Sequence, residues 1–315
     1  MKPKRKNLLK LFPGMLKQAG KEFVDDHGTK LSASLAYITI FSIGPLFMVM
    51  ITVIGMIYKN GTLTPALFDQ ISSIIGKNQT QQVEDIIKNL STNSNSTMFN
   101  VFGGAVLAFG ATGIFSEIQS SINYIWSIKS KPKKGWLKYI TDRLLSFSLI
   151  IGCGFLFLVS LLLNLVVDVM ENFVSKILGE SNVFLVKLAN FGVLFSIVTF
   201  MFAVIYKVLP DALIKWKDAL AGAAFTAILF LIGKFLIGYY LGSSSKFNAF
   251  GAASSLIILL TWVYYSSIIL YFGAEFTKVY ANTYGRGIKI KKTAVYIVKR
   301  EAREVLPHEE LNDEG

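Results

Sequence analysis

Between Gly251 and Gly273 the chain runs for 23 residues, GAASSLIILLTWVYYSSIILYFG, without a charge. A stretch of that length and apolarity crosses a bilayer as a helix, the form that satisfies its own backbone polar groups within one segment of hydrocarbon-embedded chain. The continuation is not uniformly apolar. Thr261, Tyr264, Tyr271 and Glu275 recur at spacings of three, seven and four, which puts them on one helical face. A lipid-facing helix has no use for a polar stripe that ends in a carboxylate. This helix must show the stripe to protein or to water, and the other apolar segments supply the company.

Six spans are predicted, at about 34–58, 98–126, 142–169, 183–208, 218–241 and 250–281. Of the 315 residues, 53% are hydrophobic and 17% charged, and the mean hydropathy of +0.51 lies outside the ordinary soluble class. The lone cysteine, Cys153, leaves no internal disulfide and no cysteine-rich metal site. The two histidines, His27 and His308, stand near opposite ends of the chain, so a histidine metal centre is not available. No metal site and no cofactor is predicted. The first long apolar run starts near Ser34 and is read as an uncleaved span rather than a signal peptide.

The net charge of +12 fits either nucleic-acid binding or the cytoplasmic face of a membrane protein, and the placement of the charges separates the two. Alternate segments hold 25 Lys and Arg against 6 in the others, with Lys234 inside a span. That is a positive-inside pattern with both termini cytoplasmic, and it accounts for the basicity without nucleic acid. The expected fold is therefore an all-α bundle of six transmembrane helices in a bacterial inner membrane. Residues 1–30 form a basic amphipathic interfacial helix, broken or bent near Pro13–Gly14. Residues 31–283 form the six-span domain, and 284–315 a charged cytoplasmic tail, partly disordered beyond Arg303. Two short surface helices are expected within 59–97. Trp126, Trp136 and Trp216 are expected at the cytoplasmic interface, as part of an aromatic belt. No inverted repeat is evident.

Four separated blocks then carry a resemblance: LSASLAYITIFSIGPL (31–46), SEIQSSINYIWSIK (116–129), YKVLPDALIKWKDALAGA (206–223) and the run from Tyr240 to Ala281. In this order they resemble the YihY/BrkB family of bacterial inner-membrane proteins, over roughly residues 20–283. Members of that family have been labelled ribonuclease BN, virulence or serum-resistance factors, and transporters. The resemblance implies a multi-pass membrane protein and brings no settled chemistry.

A nuclease needs clustered metal ligands or an acid/base pair at the phosphate. The sequence has neither an H-x-H nor a D-x-D pattern, and no GxxxxGK[ST] loop for an ATP-driven pump. The chain is expected not to be an enzyme. Charges in or near the membrane mark either a functional site or a structural ion pair. Glu117, Arg143 and Glu275, on spans 2, 3 and 6, are expected near the inner leaflet: either they cluster at the cytoplasmic mouth of a cavity, or Arg143 snorkels to headgroups and Glu275 sits in the interface. Lys234 on span 5 either snorkels outward or follows the small-residue face of Ala223, Ala227 and Gly238 inward, toward Asn164 or Asp168 on span 3. Tyr264 and Tyr271 line the same candidate path, and Pro45 is a candidate hinge in span 1. The expected partners are membrane lipids and an anionic or lipid-like substrate, not nucleic acid, and the oligomeric state stays open. Two functions follow: a transporter or flippase-like permease for a lipid or amphipathic anion, or a non-transporting scaffold of the envelope. An open polar cavity favours the first, and a tightly packed bundle with paired charges the second.

Overall fold

The computed structural model describes residues 8–57, 81, 112–131, 183–242 and 254–299. Within them the chain is mostly helix. Helix α1 (Leu8–Asp25) is joined to α2 (Gly28–Ile57) by a two-residue turn. Helix α3 is described over 112–125 and leads into β1 (Ile128–Ser130). Then come α4 (Val183–Val208), β2 (Ala212–Leu213) and α5 (Trp216–Gly242). Last are α6 (Ser254–Thr283), β3 (Lys289–Ile290) and β4 (Ala294–Tyr296). Three helices contain windows long and apolar enough to cross a membrane: Phe191–Val208 in α4, Trp216–Ile237 in α5 and Ile257–Thr283 in α6.

Helix α6 is the hub. It packs on α5, α2 and α1, and α5 packs in turn on α4. Small residues set the closeness of these contacts, as expected where apolar burial alone does not drive helices together. A Cβ on Gly222 of α5 would run into the Thr277 side chain of α6. One on Gly273 of α6 would meet Thr226 and Tyr206. Ala223 and Ala227 are fully buried. Where the three helices meet, the Tyr206 hydroxyl donates to the Leu270 carbonyl at 2.8 Å and lies 3.0 Å from the Thr226 hydroxyl.

Other hydroxyls are satisfied within their own helix. Thr261 donates to Ile257, Ser267 to Val263 and Thr277 to Gly273, each one turn back. A threonine on the polar stripe of α6 thus needs no partner outside the helix.

Helix α1 carries a strong apolar stripe, and part of it is seated on protein. Met15 and Ala19 are buried against Phe276 and Val279 of α6, and the Phe12 ring meets Phe225 and Phe276 edge-on. Of the expected break or bend at Pro13–Gly14, the break does not occur: α1 runs continuously through Pro13. The loss of one backbone donor is tolerated in a helix whose face is held by tertiary contacts. The turn to α2 is tight. His27 takes a left-handed φ of 53°, and its carbonyl accepts from the Lys30 and Leu31 amides.

The segment after α6 is built into the fold. Strand β3 pairs antiparallel with β2, and β4 with β1. The backbone bonds from Lys291 to Asp211, Lys131 to Thr293 and Ile297 to Ser127 extend both ribbons. Residues 288–299 therefore stitch the turn after α3 to the turn after α4. Truncation after Gly287 should raise amide exchange at 128–130 and 212–213 by orders of magnitude, since both strands lose their only described partner strand. Unchanged exchange there would show that the ribbons are dispensable.

Candidate functional site

Helix α3 ends in the middle of the strand-bearing end, and two features meet there. Ser127, at φ 57°, reverses the chain after the last turn. The free carbonyl of Ile125 would be left without a donor, as at any helix C-terminus. Two ammoniums supply it: Lys278 from α6 at 2.8 Å and Lys299 from the C-terminal segment at 3.4 Å, on the favourable side of the helix dipole.

Lys278 is also the centre of an ionic cluster. Its ammonium lies 2.7 Å from Glu22 of α1, 2.7 Å from Glu275 of α6 and 3.4 Å from Asp26 in the turn. Lys299 reaches Asp26 at 2.5 Å and sits 4.4 Å over the Tyr124 ring. Glu275 is 0% exposed, and neither oxygen has an aligned hydrogen bond among the described residues, so its partner is the Lys278 charge. Burial alone would raise the Asp26 carboxyl. The Lys299 hydrogen bond and the charges of Lys278 and Lys299 outweigh it and hold Asp26 below its usual value of 3.8. Burial pulls the Lys299 ammonium below its ordinary value despite that partner.

A depressed carboxylate contributes stability that is whole above its unfolded pKa and is lost as pH falls through the lower native one. Melting temperature should therefore decline below about pH 4. Asp26→Asn should flatten that limb and lower the plateau at neutral pH; an unchanged acid limb in Asp26→Asn would remove Asp26 as its cause.

The second feature is an open cleft of about 640 Å³ beside this cluster, lined by polar side chains together with Tyr124, Ile128 and Ile297. Its walls carry Gln119, Ser120 and Asn123 from α3, Lys129 and Ser130 from β1, and Asp211. Asn123 and Asp211 hold each other reciprocally. The Asn123 amide donates to the Asp211 carboxylate at 3.1 Å, and the Asp211 backbone N–H donates to the Asn123 carbonyl at 2.8 Å. That pair locks the turn after α4 onto α3.

The residues singled out from sequence fall as follows. Glu275 and Tyr271 are fully buried on α6. The Tyr271 hydroxyl lies beside Ser121 and within range of the half-buried Glu117 charge on α3, without an aligned hydrogen bond among the described residues. Tyr264 is half-buried near the other end of α6. Half-buried Lys234 stands at a border: Gly233 before it is packed under Tyr265, while Phe235 and Leu236 after it are exposed. Pro45 falls inside α2. Arg143, Asn164 and Asp168 lie outside the described residues, as do the 59–97 surface helices and Trp136.

Trp126 is a correction. It is not at an aromatic belt but 3% exposed in the core, donating its indole N–H to the Ala274 carbonyl at 3.0 Å. The residues sequence reasoning passed over are Glu22, Asp26, Lys278 and Lys299. Two signals pointed there: Glu22 near the end of α1 and Asp26 in the turn after it are four residues apart, and Glu275 and Lys278 are three apart on α6.

Long apolar helices packed through small residues, with hydroxyls turned back on their own backbones and ion pairs gathered at one end, define a helical membrane protein. Residues 19–296 match the family described as virulence factor BrkB, and the chain belongs to that family. The match runs past α6 to take in β3 and β4. Among similar proteins is a UPF0761 membrane protein of Pseudoalteromonas translucida, 26% identical over 86% of this chain and 87% of its own length. A UPF0761 membrane protein of Pseudomonas aeruginosa is 28% identical over 80% of this chain and 59% of its own. YfkH of Bacillus subtilis, whose name describes it as ribonuclease-like, is 25% identical over 82% and 92%. No solved structure matches. Among the described residues no group of three or more His, Cys, Asp or Glu is arranged to hold a metal ion. The three carboxylates that do converge are gathered around Lys278, and His27 stands exposed on its turn.

Proposed function

We propose that the protein is a six-span permease of the bacterial inner membrane, with both termini cytoplasmic, that moves a lipid or amphipathic anion rather than catalysing a reaction. The observation that carries this reading is the open cleft at the end of α3, with amide, hydroxyl and lysine side chains in its lining. A membrane bundle with no soluble ligand to handle has little reason to keep amides, hydroxyls and a lysine around an open space of that size. On this reading the strand-bearing end faces the cytoplasm, which agrees with the count of 25 Lys and Arg against 6. We route the path from the cleft past Glu117, Tyr271 and Glu275 into the bundle, with Lys234 farther along α5.

The test is a proteoliposome assay following labelled anionic and zwitterionic lipids between leaflets, with and without a proton gradient. Wild type should move lipid, and Lys234→Ala and Glu275→Gln should each lose at least tenfold in rate. No movement of any lipid under either condition would end the permease reading. A second reading, a non-transporting scaffold, is favoured by one observation. Lys278 fastens α1, α3, α6 and the α1–α2 turn in a single knot, an arrangement suited to holding still.

A further inference from the structure

We propose that the cleft is a headgroup site for a phospho-polyol: a phosphate ester that carries free hydroxyls. This rests on the permease reading, to which it adds the class of substrate, and on the strand-bearing end as the cytoplasmic face.

The order of charges along the cleft carries the assignment. Lys129 is exposed at the rim, whereas Asn123 and Asp211 are buried at its floor. A bare anion pushed to the floor would meet the Asp211 carboxylate, and an apolar group would strand the amides. A ligand with its phosphate outward and its hydroxyls inward meets both conditions. The phosphate oxygens accept from the Lys129 ammonium in a charge-assisted bond. The hydroxyls, which both donate and accept, match the amides of Gln119 and Asn123 and the hydroxyls of Ser120 and Ser130.

The wall between rim and floor fits as well. Tyr124 lines the cleft and offers its ring to the C–H side of a polyol. A volume of about 640 Å³ holds a headgroup, and the open mouth leaves any acyl chains outside. The same chemistry comes from two sources, a glycerol-type phospholipid or a soluble phosphorylated polyol.

Calorimetric titration of the full-length protein in phosphatidylcholine nanodiscs tests the assignment. The probes are glycerol 3-phosphate, and dihexanoyl phosphatidylglycerol and dihexanoyl phosphatidylethanolamine below their micelle concentrations. Binding of phosphatidylglycerol or of glycerol 3-phosphate, at least tenfold tighter than phosphatidylethanolamine, is the expected result. Which of the two binds identifies the source. Lys129→Ala should weaken it roughly tenfold, the loss of one charge-assisted bond. Gln119→Ala should weaken it a few-fold. Lys131→Ala, exposed and outside the cleft lining, should leave it unchanged. Equal affinity for the ethanolamine probe, no binding of either polyol probe, or equal weakening by Lys129→Ala and Lys131→Ala would each overturn the proposal. Lipid movement that persists without such binding sinks this assignment and spares the permease; binding without any lipid movement does the reverse.

Discussion

Replacing Lys278 with methionine is expected to cost about 3–5 kcal/mol of stability, the range for removing one partner of a buried ion pair. The ammonium serves Glu22, Glu275, Asp26 and the Ile125 carbonyl at once. Methionine fills the volume and satisfies none of them. Glu275 is hit hardest, because it is 0% exposed and its carboxylate lies 2.7 Å from the Lys278 ammonium. Glu275→Gln alone should cost far less, since Lys278 keeps two carboxylates and a carbonyl. Adding Glu275→Gln to Lys278→Met should recover much of the loss, because it removes the stranded charge. Denaturant titration read by tryptophan fluorescence is a suitable measurement, with Trp126 in the core next to Ile125. If Lys278→Met unfolds at the wild-type midpoint, the cluster is not a structural knot.

Gly273→Leu should lower stability by about 3 kcal/mol or more, from overpacking plus lost hydrogen bonds. Even a bare Cβ at Gly273 would stand 2.9 Å from the Thr226 Cβ and closer still to the Tyr206 hydroxyl. Those two hydroxyls are the junction of α4, α5 and α6, so the added side chain separates helices rather than merely crowding one. Gly273→Ala should show a smaller loss of the same sign. Thr226→Gly in the Gly273→Ala background should return part of it by reopening the space. A neutral Gly273→Leu would mean that the three helices do not approach as closely as described.

Much of this architecture is legible in the sequence, and unevenly so. The span expected at 183–208 coincides with α4 (Val183–Val208). Those at 218–241 and 250–281 lie within a few residues of α5 and α6. Length and apolarity dominate there, and no tertiary contact competes with them. The two ribbons were not legible. Strands of two or three residues carry no periodicity, and β1 meets β4 across more than 160 residues of chain. The candidate site was half legible. Glu275 and Tyr271 are conspicuous because a carboxylate and a phenol interrupt an apolar helix. Glu22 and Asp26 look like ordinary solvated charges on an amphipathic helix, and only the seating of α1 on α6 turns them toward Lys278. Asn123 and Asp211 each stand within a recognisable block, 116–129 and 206–223, yet neither block says that the two side chains grip each other.

The clasp made by residues 288–299 has a consequence for how the molecule is made. Synthesis runs from the N-terminus, so α1, α3 and α4 leave the ribosome long before β3, β4 and Lys299 exist. Until those residues emerge, β1 and β2 wait with open edges, Asp26 lacks the Lys299 ammonium, and the cleft lacks the wall that Ile297 supplies. The two ribbons therefore close only after every described helix has been made, and a product stalled or clipped before residue 288 would lack both of them and leave the cleft unfinished.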